Sequence, residues 1–174
     1  SRHIDEAQFR RGEILFSARR YADAERAYQA VVRMGPDSSF HEQSLYKHGW
    51  SLFKQSENEA SVDSFVKLLD RKMTDPQDPQ RVLDPQGMSR ADRELVEDTF
   101  RVLSIGFSYA DGAESIDRYL ARNGARSYDY LLYSQLGDLY VGKQRYTDAA
   151  DTYRAFVARS PDHERAPILQ MQAI

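Results

Sequence analysis

Four histidines, His3, His41, His48 and His163, are the first side chains to test for chemistry. His41-Glu42 begins like the zinc-protease motif, but position 45 is Leu45, so the second imidazole is missing. His41 and His48 are seven residues apart and can share a helix face; with no third ligand nearby they do not make a metal site. Gly106-Phe107-Ser108-Tyr109-Ala110 offers the serine of a nucleophile elbow. It lacks the closing glycine and reads as helix, whereas the elbow needs a strand-to-helix turn. No lysine stands in a glycine-rich phosphate loop. Asp92, Glu94, Glu97 and Asp98 are spaced as on a solvated helix face. Cysteine is absent, which excludes disulfides, thiolate metal sites and cysteine nucleophiles. The expectation is no catalysis, no metal and no cofactor.

Tyrosines crowd one stretch: Tyr128, Tyr130, Tyr133, Tyr140, Tyr146 and Tyr153. A base-stacking surface would need basic residues among them. Here they are sparse, the net charge is −3 and the pI about 5.8, so most of these rings read as core and no nucleic acid is expected as partner. No apolar run approaches the roughly 18 residues of a membrane span, so no direct membrane insertion is expected. With 174 residues, 41% hydrophobic and 29% charged, the chain suits one folded domain or one repeat array. It starts at Ser1 without methionine and stops inside a helical pattern, which suggests a piece of a longer protein.

These side chains must be positioned by repeats. Arg20 to Val32, beginning Arg-Tyr-Ala-Asp-Ala, nearly superimposes on Arg145 to Val157, beginning Arg-Tyr-Thr-Asp-Ala. Both continue to a Pro-Asp pair, Pro36-Asp37 and Pro161-Asp162, and both are preceded at one offset by Gly12 and Gly137. A further copy matches Gly49, Leu52, Phe53, Ser61, Phe65 and Leu68 to Gly12, Leu15, Phe16, Ala24, Tyr28 and Val31. Self-similarity at this period indicates a solenoid of helix pairs. The small residues let paired helices approach, aromatics one turn apart fill the gap, and proline ends the second helix.

The pattern resembles the tetratricopeptide repeat (TPR). Repeat one supplies Gly12, Leu15, Tyr21, Ala24, Tyr28, Val31 and Pro36; repeat four supplies Tyr133, Leu136, Gly137, Tyr140, Tyr146, Ala149, Tyr153, Phe156 and Pro161. Repeat two departs from it at His48, at Ser61 and in its displaced Pro76. In repeat three, Gly106 and Tyr109 fit the first helix, but Ser115 and Tyr119 follow early, which implies a shortened turn at Asp111-Gly112. The resemblance implies an all-α, right-handed superhelical solenoid of antiparallel helix pairs. The single array over 1–174 has repeats near 5–38, 42–73, 90–124 and 130–162, and a further helix over 163–174. Helices are expected near 2–18, 21–34, 38–55, 58–72, 90–109, 112–122, 127–142, 146–159 and 163–174, with no sheet. The proline-rich insert 74–88 reads as a mobile loop, although Val82, Leu83 and Met88 could anchor it; Ser89 with Asp92 caps the helix that follows. Glycine to alanine at Gly137 is expected to be mild or stabilising, because alanine favours helix.

The resemblance also implies a protein- or peptide-binding scaffold whose first helices face the ligand. Those positions carry Arg10 and Glu13 in repeat one, Tyr46, Lys47, Trp50 and Lys54 in repeat two, and Gln135 and Asp138 in repeat four. Glu13, Trp50 and Asp138 stand where a carboxylate clamp would carry asparagine, so a chaperone's acidic C-terminal tail is not the expected ligand. Trp50 reads either as a binding hot spot or as an inter-repeat packing residue. Arg10, Tyr46, Lys47, Trp50 and Lys54 together suggest a cationic, aromatic patch for an acidic, apolar segment. The stretches Tyr119 to Arg126 and Gly137 to Tyr140 also resemble exported bacterial TPR proteins of TonB/Tol-type systems, which implies a periplasmic location. Two other roles stay open: a non-catalytic positioning domain of a larger enzyme, or a helical-repeat RNA binder, which Glu6, Glu13 and Asp138 oppose.

Overall fold

The computed structural model describes residues 2–174, which fall into two compact units divided between Arg71 and Lys72. The first unit holds α1 (Arg2–Ser17), α2 (Tyr21–Arg33), α3 (His41–Lys54) and most of α4 (Asn58–Met73). The second holds β1 (Thr74–Asp75), β2 (Asp78–Val82), a 3-10 turn (Pro85–Gly87), α5 (Arg90–Tyr109), α6 (Ala113–Asn123), α7 (Asp129–Gly142), α8 (Tyr146–Arg159) and α9 (Ala166–Gln172). The all-α helical-repeat class holds.

One spacing recurs in all four helix pairs. The small residue is Gly12, Gly49, Ser104 or Gly137; the first helix ends five residues after it and the second begins nine after it. Three of the intervening turns put a non-glycine residue in the left-handed region, Arg19, Ser56 and Gln144, at φ of 60°, 61° and 59°. The next N–H, of Arg20, Glu57 or Arg145, donates back to Leu15, Leu52 or Tyr140 at 2.8–3.0 Å, closing the helix end. Repeat three makes the same bond from Gly112 to Phe107 at 2.8 Å, with Gly112 at φ 64°. This fixes its register. Ser104, Phe107, Ile116 and Leu120, all buried, occupy the places of Gly12, Leu15, Ala24 and Tyr28. The expected assignment of Gly106 and Tyr109 is therefore two residues off, Tyr109 is 71% exposed, and the turn is not shortened. The true small residue is a serine, which the glycine pattern hid.

The small residues serve close approach. A methyl group on Gly12 would lie 2.6 Å from Tyr28 Cε1, and one on Gly49 2.7 Å from Phe65 Cε1. Around the first contact, Phe9, Ala24, Tyr28 and Val31 form a core flanked by Leu15, Phe16 and Phe40. Ser61, standing in the usual alanine place, is accommodated because its buried Oγ donates to the Gly49 carbonyl at 3.0 Å.

The insert is not a bare loop, and the expectation of no sheet fails there. β1 and β2 pair antiparallel, Thr74 opposite Val82 and Asp75 opposite Asp78. Proline blocks helix but is tolerated on an isolated ribbon with free edges. Leu83 N–H donates to the Met73 carbonyl at 2.8 Å, and Ser127 Oγ donates to the Pro79 carbonyl at 2.9 Å, tying the hairpin down. Ser89 Oγ accepts from Asp92 N–H at 3.1 Å, so the cap falls where the sequence placed it.

His48 Nδ1 meets Ser64 Oγ at 2.6 Å, while His41 Nδ1, Ser44 Oγ and His48 Nε2 are buried without a partner among the described residues. Burial holds both imidazoles below their usual value; the Arg71 guanidinium pushes His41 further down. The folded state thus disfavours the charged form. Stability is full above about pH 6.5 and falls as pH drops below it. Thermal melts should show the first unit weakening from neutral pH to about pH 5. The variant His41→Val, His48→Leu, carrying the residues that repeat three has there (Val96 and Leu103), should flatten that slope.

Candidate functional site

In the first unit, α1 and α3 carry six of the eight sequence-predicted partner residues. Glu13 accepts a hydrogen bond from the buried Tyr28 hydroxyl and lies 3.7 Å from Lys47 Nζ. Lys47 Nζ in turn sits 3.8 Å from the centre of the Phe16 ring, so this cation is committed to neighbours within the unit. Tyr46 meets Trp50 edge-on at 6.4 Å between centroids, and Trp50 meets Phe53 at 5.5 Å and Phe65 at 6.3 Å. Trp50 is half-buried, and Lys54, exposed, holds its ammonium 5.9 Å from the Trp50 ring. Arg10 is exposed and only 3.8 Å from Glu6, an i,i+4 pair worth a few tenths of a kcal/mol. The structure thus assembles Glu13 with Lys47, and Tyr46 with Trp50 and Lys54.

The second unit holds the other two. Asp138 accepts from the Tyr153 hydroxyl at 2.6 Å, the counterpart of Glu13 and Tyr28. Burial, reinforced by the hydrogen bond to each carboxylate, pushes both phenols well above their usual value, so they remain donors. Sequence reading missed this pairing, although its signal was present. The residue after the small one is acidic where the facing aromatic is tyrosine (Glu13 and Tyr28, Asp138 and Tyr153). It is Trp50 where that aromatic is Phe65, and Ile105 where the facing residue is the aliphatic Leu120. Glu13, Asp138 and Trp50 therefore each cap an interhelical contact.

Gln135 lies elsewhere, on the wall of a cavity of about 600 Å³. Val96, Phe100 and Leu131 supply its apolar floor from α5 and α7. The insert contributes Val82, Leu83, Asp84 and Gln86, and the connection before α9 contributes His163, Glu164 and Arg165. Tyr130 stands between, its ring 5.2 Å from His163 and 5.7 Å from the Arg165 guanidinium. Of the sequence-predicted partner residues only Gln135 reaches this cavity; in the sequence Val82 and Leu83 read as anchors of the insert, Glu97 as part of a solvated helix face and Tyr130 as core.

Among the described residues no group of three or more His, Asp or Glu side chains is placed to hold a metal ion, and no helix is long and apolar enough to cross a membrane. No curated protein matches the chain. A family model described as Tetratricopeptide repeat matches residues 3–39 and 108–164, together more than half of the sequence. With the recurrent helix-pair geometry, this shows that the chain belongs to the tetratricopeptide repeat family.

Proposed function

We propose that the chain is a protein-binding scaffold whose first unit takes an acidic, apolar segment of a partner on the face built by α1 and α3. TPR repeats commonly mediate protein–protein interaction. One observation supports this surface: Trp50 is held by three aromatic neighbours yet keeps part of its ring accessible, with the exposed Lys54 ammonium beside it. A rigid aromatic anchor with a cation at its rim suits a segment that mixes carboxylates with apolar side chains.

Trp50 is the sole tryptophan, so its emission reports on this face directly. A short alternating Glu–Leu peptide is expected to shift that emission, and Lys54→Glu to weaken binding most at low salt. Trp50→Ala should weaken it by about 2 kcal/mol, read by anisotropy of a labelled peptide. Lower melting with unchanged affinity of the folded protein would assign Trp50 to packing alone and eliminate this face.

We further propose that the scaffold works in a bacterial envelope complex on the periplasmic side. This rests only on the resemblance of Tyr119 to Arg126 and Gly137 to Tyr140 to exported TPR proteins. Fractionation of host cells tests it: recovery in the cytoplasm alone overturns it.

A further inference from the structure

We infer that the cavity under the hairpin is a second recognition site, of opposite chemistry, for an extended peptide segment carrying lysine or arginine between apolar side chains. The inference rests on the second unit alone and does not depend on the α1/α3 face.

Its walls come from three separated stretches of sequence: the insert, the α5 and α7 faces, and the connection before α9. A volume of about 600 Å³ falls within the range of roughly 300–1,000 Å³ typical of ligand clefts. The floor of Val96, Phe100 and Leu131 can receive apolar side chains. Asp84, Glu97 and Glu164 line the cavity against the single guanidinium of Arg165. Among the described residues neither Glu97 nor Glu164 has an ion-pair partner, while Arg165 lies against the Tyr130 ring. The unbalanced charge is therefore negative and selects a cation.

The polar capacity points the same way. The Tyr130 hydroxyl and the side-chain amides of Gln86 and Gln135 make no hydrogen bond to another described residue. They can meet the backbone of an extended segment, as few and well-placed polar groups do in an otherwise apolar cleft. His163 Nδ1 accepts from Arg165 N–H at 3.0 Å, which fixes the bend that presents Glu164. The wall is preformed, because the hairpin is fastened at Leu83 and at Pro79.

The test is fluorescence anisotropy on the whole chain with a labelled alternating Lys–Leu peptide. The double variant Glu97→Gln, Glu164→Gln removes two exposed charges and is expected to weaken binding about tenfold, with a shallower salt dependence. A charge-matched control, Glu57→Gln with Glu114→Gln, alters exposed carboxylates away from the cavity and should retain the parent affinity. Equal losses in the two double variants would reduce the binding to general charge attraction and overturn the site. Spermidine displacing the peptide at equal concentration would overturn the peptide assignment, since it carries the charge without apolar side chains. Trp50→Ala should leave this binding unchanged; loss there would place the Lys–Leu peptide on the first unit and overturn the inference.

Discussion

Gly137→Leu is expected to melt the second unit at a markedly lower temperature, with a cost of about 3 kcal/mol. A methyl group there would already lie 2.6 Å from Tyr153 Cζ. The ring has nowhere to go, because Tyr153 is buried and its hydroxyl is anchored on Asp138. Gly137→Ala separates two effects. Alanine gains about 1 kcal/mol of helix propensity, but the contact costs about 1–3 kcal/mol. The close approach wins, so the expectation of a mild or stabilising alanine is corrected to a net loss. Gly142→Ala in the same helix meets nothing within 4 Å and should be neutral or slightly stabilising. Calorimetry on the three variants decides it; equal melting of Gly137→Leu and the parent would remove the contact from any structural role.

Trp50→Glu is the second large effect. It replaces an aromatic that touches Tyr46, Phe53 and Phe65 with a carboxylate that Phe65 cannot bind. The expected cost is about 2–3 kcal/mol, from lost packing and an uncompensated polar group. Adding Phe65→Tyr supplies the hydroxyl that repeats one and four use, and should recover about 1 kcal/mol. Denaturant midpoints of the two single variants and the double variant form the cycle. Additive effects would show that the tyrosine–carboxylate match is incidental.

What could be read in the sequence follows the strength of each local constraint. Repeats one and four declared themselves because glycine, alanine and tyrosine at fixed offsets are each demanded by a close contact. Among the described residues the nine helices lie near their expected positions, with ends shifting by up to about three residues; the largest shifts are at the starts of α3 and α9, which carry no side-chain cap, whereas α5, capped by Ser89, starts where expected. Repeat three was misplaced because Ser104 fills the small position, and a serine is too common to stand out. The hairpin was missed because two prolines within Pro76 to Pro79 dominate a local reading, while its fastening residues, Met73 and Ser127, lie outside it. The cavity was illegible for the same reason: its charges come from segments as far apart as Asp84 and Glu164. On the α1/α3 face, residue types were legible but commitments were not. Lys47 reads as a free cation until Glu13 and Phe16 are seen beside it.

The fastening of Pro79 to Ser127 has a consequence for how the second unit folds. Helix-pair arrays ordinarily unravel from their ends, since each pair touches only its neighbours. Here a bond between residues 48 apart closes a loop that contains α5 and α6. Closing it carries an entropic cost before any reward, so hairpin docking belongs late on the folding route, after α5, α6 and α7 have formed. Once made, it adds a long-range tie between the hairpin and the residues just before α7. Ser127→Ala should therefore act mainly on the unfolding rate and leave the folding rate nearly unchanged.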